Sequence, residues 1–406
     1  MKHIGIITEY NPFHNGHQYQ LNTIRQQFPE KRIIVIMSGD YVQRGEPAVF
    51  NKYLRAICAL QAGADIVFEL PSLFASSSAE YFASSAVLSL AATGIIDTLC
   101  FGCEDTDLDA FTKIAGLFLE EPAAYRQTLK QHLKDGFAYP KARSLAAADY
   151  FQNDAYSRLL KQPNNILGIE YMKTLQKYKL DITPFIIKRT GSGYHDISTD
   201  HTLCSASALR HTLAKENMDL RQYMPKAAWN LLEKSEYAKP LFLSDFYPSL
   251  QYALWQKDSY EDYFEVTREL SNRLCAIRSY PGSVKELISQ LTSKNLTETR
   301  IQRSLLNILL NHTNADMASA KKGNYVSYLR LLGFRSSSAP LLKEMKTTCS
   351  IPVINKVAQA EKILSKEEYS VFQKDLRSSA LYQQIFFNKY HVRIPSEYEH
   401  SVIIEK

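Results

Sequence analysis

The chain of 406 residues lacks any run near the roughly 18–20 uninterrupted apolar residues of a membrane helix, which excludes a helical span. Its first residues show no basic n-region, apolar h-region or small-residue cleavage site, so export is not expected. Cysteines are few and scattered (Cys58, Cys100, Cys103, Cys204, Cys275 and Cys349), a usage that argues against a disulfide framework and for free thiols. Repeats, low-complexity tracts and long linkers are missing as well. These absences give a cytoplasmic protein as the expectation. What is present is ordinary for a globular chain with a real core: 45% hydrophobic and 22% charged residues. At roughly 100–200 residues per domain, the length allows two or three domains.

Charge is unevenly placed. The net charge is +6, yet between Arg268 and Lys346 there are 13 Lys and Arg against 5 Asp and Glu. That segment exceeds the whole chain's excess, so the remainder is slightly acidic. A basic region beside a near-neutral one points to a polyanionic partner, with a solvated helical surface as the alternative.

The first two hundred residues alternate short β-branched runs with helical patterns. HIGIITEY, RIIVIMSG, ADIVFELP, DTLCFGCE and DITPFIIKR read as buried strands, with helix-like stretches between them. Strand followed by helix, repeated, predicts an open, Rossmann-like α/β fold with a parallel sheet and right-handed crossovers. A helical insertion is expected over about 122–178. After about Tyr223 no strand ladder is evident, and ETRIQRSLLNILLNH, YVSYLRLLGF, APLLKEMK and EKILSKEEYSVFQKDL carry apolar residues at helical spacing. Two parts are therefore expected: residues 1–222 as the α/β catalytic domain and 223–406 as a mostly α-helical domain.

Ligands of open α/β sheets bind beyond the carboxyl ends of the strands. NPFHNGH, SGDYVQRGEP and FGCEDTD fall there, as does KRTGSGYHD. In NPFHNGH, two histidines bracket Gly16 where strand one gives way to a helix. Backbone N–H groups at that helix start favour anions, and two imidazoles add directed donors, a combination suited to a phosphate under attack. Gly16 is expected to let the backbone approach a nucleotide closely. A metal site is the alternative, but only Glu9 offers a third ligand nearby in sequence. A capped helix with incidental histidines is another.

HNGH resembles the HxGH signature of nucleotidyltransferases, which attack the α-phosphate of a nucleoside triphosphate. CSASALR, residues 204–210, resembles their second signature, a Ser-rich helix start followed by Arg. Ser205 or Ser207 can cap that helix while Arg210 offers an anion site. A narrower resemblance runs nearly end to end. GIITEYNPFHNGH, SGDYVQRGEPAVFNKYLRA, GADIVFELP, SAEYFA, CFGCE, PNNILGIEY, KRTGSGYHD, LLNILL and YLRLLGF together are similar to the bacterial tRNA(Met) cytidine acetate ligase family. That resemblance implies ATP-dependent activation of acetate as acetyl-adenylate, then acetylation of N4 of the wobble cytidine in the anticodon of elongator tRNA(Met), with Mg²⁺ accompanying ATP.

The same resemblance implies site residues. His14, His17 and Ser207 would serve the chemistry. The nucleotide loop would comprise Ile7, Thr8, Glu9, Tyr10, Asn11, Pro12, Phe13, His14, Asn15, Gly16, His17, Gln18, Tyr19 and Gln20. Gly102, Arg189, Ser205, Arg210 and either Asn164 or Asn165 would complete it. No carboxylate cluster identifies Mg²⁺ ligands. Two positions depart from the family pattern: Asp40 stands where asparagine is commoner, and Cys103 where serine is usual. The acid would bind Mg²⁺ or sit away from the phosphates; the CxxC formed by Cys100 and Cys103 has redox as a lesser reading. Arg44, Glu46, Lys52 and Arg55 are candidates at the border of the pocket, or a surface-helix pair.

In the basic segment, Arg300 and Arg303 share one helix face, and Lys321, Lys322, Arg330 and Arg335 mix with Tyr325, Tyr328 and Phe334. Cations that track phosphates beside aromatics that stack on bases predict tRNA contacts, with the aromatic residues as core the alternative. This region is expected to flank the cleft. No obligate protein partner is indicated. Two other functions compete: a small-molecule nucleotidyltransferase, which needs no basic helical half, and a non-catalytic nucleotide- or RNA-binding protein.

Overall fold

The computed structural model describes residues 2–189, 204–215, 220–279 and 281–406. Of KRTGSGYHD, only Lys188 and Arg189 fall within them, so the expectation for residues 190–196 lies outside the described residues.

The five expected strands form as β1 (His3–Thr8), β2 (Ile33–Ser38), β5 (Ile66–Leu70), β6 (Ile96–Cys103) and β7 (Thr183–Lys188), all parallel to their neighbours among them. A small hairpin, β3 (Tyr41–Val42) with β4 (Glu46–Pro47), stands apart. Both faces of the main sheet are covered, because successive side chains point to opposite faces and both sets are apolar. On β2, Ile34 and Ile36 join one core while Ile33, Val35 and Met37 join the other. Helices Ala79–Ala92, Leu108–Glu120 and Pro163–Lys177 supply the first core. Helices Asn15–Gln27, Lys52–Gln61 and Ala206–Leu213 supply the second.

The second half is mostly helical, but the expected absence of strands after Tyr223 is corrected. β8 (Leu329–Arg335), β9 (Val353–Ile354) and β10 (Ile403–Glu405) join the same sheet, whose order is β10-β8-β5-β2-β1-β6-β7 with β9 beside β8. β8 runs antiparallel to β5, so the sheet is mixed. YVSYLRLLGF reads as helical for a physical reason. Leu329 and Leu331 enter one core and Leu332 the other, and a strand buried on both faces loses the alternation that would mark it. Tyr325 and Tyr328 are 8% and 4% exposed, which makes them core residues rather than stacking platforms.

The chain leaves β1 toward β2 and β5, then returns to place β6 on the other side of β1. That reversal opens a crevice beyond the carboxyl ends of β1 and β6.

Candidate active site

A cleft of about 1030 Å³ of space, open to solvent, lies at that crevice, and the residues after β1 line much of it. The loop reaches the next helix through Tyr10, at φ 47°, and a cis Asn11–Pro12 bond. His14 is the N-cap of helix Asn15–Gln27; its Nδ1 accepts from the Gly16 N–H at 3.0 Å. In return the His14 N–H donates to His17 Nδ1 at 3.2 Å, and the two rings stack with centroids 3.8 Å apart. Each Nδ1 lone pair is thereby used, which leaves Nε2–H as the donor of each neutral ring. Burial, with Arg189 and Arg210 nearby, pushes the His14 pKa down to about 3. Burial, then His14 and Arg189, pushes His17 well below its ordinary value. Both imidazoles are neutral donors at pH 7.

Gly16 has a second reason beside the one expected. A Cβ there would stand 2.8 Å from His14 Cε1, so the glycine makes room for the imidazole itself. Of the expected loop, Pro12, Phe13, Asn15 and Gln18 do not line the cleft. Phe13 is buried under the loop against Tyr10 and His17. Asn15 donates to the Gln222 carbonyl at 2.8 Å and Gln18 to the Ala62 carbonyl at 3.0 Å. Ile7, Thr8, Glu9, Tyr10, Asn11 and Gln20 line the cleft beside the histidines, while Gly16 and Tyr19 line a smaller lobe. Asn11 is 2% exposed, and its Oδ1 accepts from the Val49 N–H at 2.8 Å.

Across the cleft, Ser205 is the cap of helix Ala206–Leu213, accepting from the Ala208 N–H at 3.1 Å. Ser207 is left to the cleft wall, where its hydroxyl accepts from Arg210 at 3.2 Å. Arg210 also donates to the Asn11 carbonyl at 3.0 Å, which ties the two motifs together from 199 residues apart. Arg189 follows β7 and lines both lobes. Gly102 lines both as well, and a Cβ on it would meet nothing nearer than Arg189 Cγ at 3.5 Å. The protein's own packing therefore does not require this glycine. At Gly168 the opposite holds, with Phe111, Phe101 and Cys103 all within 2.9 Å of a Cβ.

The two asparagines are placed differently. Asn164 lines the cleft and donates to the Glu104 carboxylate. Asn165 is 1% exposed and holds the loop after β6, accepting from the Glu104 and Asp105 N–H groups at 3.0 and 3.1 Å. Asn165 thus acts as a loop brace, and Asn164 is the one of the pair on the cleft wall.

Asp40, Lys52 and Arg55 lie under the site rather than in it. Arg55, 1% exposed, donates to the carbonyls of Glu9, Ser38, Gly39 and Phe50 and so fixes the strand ends behind the cleft. Lys52, fully buried, faces Glu69 at 2.8 Å, Glu397 at 3.1 Å and Asp40 at 3.6 Å. Asp40 also accepts from the Lys52 N–H at 3.0 Å, so this departure from the family pattern caps a helix start. Cys103 is buried against the Asn164 carbonyl, and burial raises its thiol and that of Cys100, the latter to about 12. Inaccessible, protonated thiols do not fit a redox pair.

Among the basic residues, Arg330 is corrected. It is 5% exposed and pairs with Glu69 at 3.3 Å and with Glu397, so no phosphate reaches it. Arg303 turns inward to Glu265 at 2.7 Å. Arg300 and Arg335 are half-buried, and Lys321 and Lys322 are exposed. The helix Glu298–Leu310 packs against the loop that carries Arg44. Gly45 of the loop beside Arg44 rests on the backbone of Gln302 and Arg303, and Gln302 reaches Glu46 at 3.4 Å. Sequence reasoning missed Gln43, Phe82, Phe101, Leu167 and Tyr171 as lining residues. All five lie in stretches that carry the family resemblance (SGDYVQRGEP, SAEYFA, CFGCE and PNNILGIEY), but those stretches named no role for them.

Residues 1–396 match the family model described as HIGH Nucleotidyl Transferase. A tRNA(Met) cytidine acetate ligase of Caldanaerobacter subterraneus subsp. tengcongensis is 38% identical over 391 residues, 96% of each chain. One from a Thermoanaerobacter species is 39% identical over 388 residues, 95% of this chain and 96% of its own. Thermotoga maritima TmcAL in its apo form superposes with a TM-score of 0.94 at 29% identity, over 100% of both chains. The same protein bound with alpha-thio ATP gives 0.92 at 28%, again over 100% of both.

Proposed function

The chain belongs to the HIGH nucleotidyl transferase family and, within it, to the tRNA(Met) cytidine acetate ligases, and on that premise we propose the reaction it performs. It is an ATP-dependent ligase that activates acetate and acetylates N4 of the wobble cytidine of elongator tRNA(Met). A carboxylate oxygen of acetate attacks the α-phosphorus of ATP; the new P–O bond forms as pyrophosphate leaves with its electron pair. The cytidine amine then attacks the acetyl carbonyl, AMP leaves, and the amine loses a proton.

The observation that carries this reading is the pair of neutral imidazoles with both Nδ1 atoms held by backbone N–H groups. Two preorganised Nε2–H donors stabilise charge that grows on α-phosphate oxygens without needing to titrate. Arg189, Arg210 and Ser207 add cations and a hydroxyl at the same wall. The protein holds nucleophile and phosphorus in line, and positioning of this kind supplies much of the rate. Mg²⁺ would travel with ATP. Glu9 is the one carboxylate among the cleft-lining residues, and its Oε1 already accepts from the Gln43 N–H at 2.9 Å. Among the described residues no three His, Cys, Asp or Glu side chains gather as a metal site. A protein-built cage does not fit this donor set, so the triphosphate would hold the ion and no step depends on it.

In this reading residues 1–222 supply the chemistry and 223–406 the surface that meets the tRNA. Lys321 lies 2.9 Å from the Tyr81 hydroxyl, one residue from Phe82 in the cleft wall, which favours Lys321 and Lys322 as phosphate contacts near the site. Arg300 and Arg335 are further candidates. Among the described residues no helix is long and apolar enough to cross a membrane, and a cytoplasmic location fits the substrate.

The test is ATP–pyrophosphate exchange with and without acetate, followed by transfer of labelled acetate to tRNA. Exchange that needs acetate, and label that enters tRNA(Met) at cytidine, are expected. Exchange without any acid, or label absent from tRNA while exchange proceeds, would favour a different acceptor.

A further inference from the structure

The cleft has two lobes that share His14, His17, Gln20, Gly102 and Arg189 but offer different surfaces. The smaller, about 540 Å³, adds Gly16, Tyr19, Ile187, Lys188 and Cys204. Two glycines flatten its floor, and β7 is the last strand in the sheet order. Among the described residues no strand pairs with the outer side of β7, so its backbone donors and acceptors can meet the edge of a heterocycle. That lobe suits the base of ATP, with the phosphates at the shared histidines and arginines. Beyond them, the larger lobe ends in an apolar wall made by Phe82, Phe101, Leu167 and Tyr171. With base and phosphates placed, no apolar part of ATP is left to meet that wall. The carbon end of the acid is.

We propose that Phe82, Phe101, Leu167 and Tyr171 form the acyl-binding site, which receives the methyl group of acetate and excludes longer carboxylic acids. The inference rests on the ligase reading above and deepens it. Size selection needs a wall that does not retreat, and this one has no slack. Phe82, Phe101 and Tyr171 are 2%, 3% and 4% exposed, and they come from a helix, a strand and a second helix that share one core. Phe101 and Tyr171 meet edge to face at 5.4 Å. Behind them, the missing Cβ of Gly168 is what lets Phe101 and Phe111 close up, at 2.8 and 2.7 Å from where it would stand. Leu167, only partly buried, is the member of the wall that can be trimmed without opening the core.

The experiment compares ATP–pyrophosphate exchange on acetate, propionate and butyrate for the wild-type protein, Leu167→Ala, Phe82→Leu and, from the smaller lobe, Ile187→Ala. The wild-type protein should prefer acetate to propionate by roughly 10–200-fold, the discrimination that one methylene permits. Leu167→Ala should move that ratio toward propionate by about 10-fold or more, with the KM for ATP held within about 2-fold. Ile187→Ala should do the reverse, raising the KM for ATP at an unchanged acid ratio. Should Leu167→Ala fail to fold, Leu167→Val and Phe82→Leu report the same ratio. An unchanged ratio in both wall variants overturns the assignment, and so does a raised KM for ATP in their place, which would put the base against this wall. Wild-type exchange with no dependence on any acid would instead overturn the ligase reading, and this inference with it.

Discussion

Two groups of cations sit at the same end of the sheet, and they are built on opposite terms. In the buried group, Lys52 and Arg330 face three carboxylates, Asp40, Glu69 and Glu397, with nothing left over for a ligand. In the cleft, Arg189 and Arg210 line a wall with Glu9 as the one carboxylate among its lining residues, beside two imidazoles whose pKa values are lowered by burial first and then by neighbouring cations. Glu46 approaches Arg210 only to 3.9 Å. The identity of a cation therefore says little about its purpose, while the count of carboxylates facing it says much. Where cations outnumber carboxylates on a concave wall, a polyanion suits the balance.

That contrast predicts different failures. The largest effect belongs to the buried group. Lys52→Met removes a partner of three buried carboxylates and should cost about 3–5 kcal/mol in urea unfolding. Arg189→Ala, on an exposed side chain, should change stability by less than about 0.5 kcal/mol while ATP binding is lost. If the two variants prove equally destabilised, the distinction between structural and ligand-facing charge fails. Next in size is His17→Ala, which removes one oxyanion donor and should reduce acetate-dependent exchange by roughly 10²–10³-fold. A loss below about 10-fold would show that the imidazole only shapes the helix start.

The same contrast marks what the sequence made legible. The five parallel strands, the histidine loop and the Ser-Arg helix all follow from local pattern, because each is written in contiguous residues. Arg330 does not. Its meaning depends on Glu397, which is distant in sequence and enters through the C-terminal segment, so its charge looked available when it was spent. Lys52 misled for the same reason, and Arg55 because its partners are backbone carbonyls that no sequence pattern marks. β8 was hidden by burial on both faces, which erases the period of two that separates strand from helix. The apolar wall was invisible too, since Phe82, Phe101 and Tyr171 look like any other core aromatics until the fold brings their edges to one cleft.

A smaller effect separates two glycines. Gly102→Val adds a side chain where the nearest protein atom leaves room, so it should raise the KM for ATP by about 10-fold with little change in thermal midpoint. Gly168→Ala adds a Cβ where three side chains already stand and should cost about 1–3 kcal/mol in stability. A Gly102→Val variant that unfolds with an unchanged KM would move Gly102 to the structural side.

The smallest effect is on pH dependence, and it asks whether the two regions answer acid in different windows. His14 titrates at about 3 when folded, and His17 is also well below its ordinary value of 6.5. Below pH 6.5 the unfolded chain binds protons at both positions and the folded, ligand-free protein does not, so stability falls as the pH drops from about 6.5 toward 3. Glu397 behaves differently. Burial raises its pKa, but Lys52 and Arg330 outweigh that and bring it down to about 2 from 4.5. Its contribution is complete above pH 4.5 and is lost only between there and about 2. Between pH 5 and 6, then, His14 and His17 should add to the slope while Glu397 stays silent. Each histidine should contribute up to about 1.4 kcal/mol per pH unit, and His17→Gln should remove one such share from urea-unfolding stabilities measured at pH 5.0, 5.5 and 6.0. An unchanged slope would mean that His17 already carries its proton in the folded protein, and the cleft would then hold a charged imidazolium where the geometry provides a neutral donor.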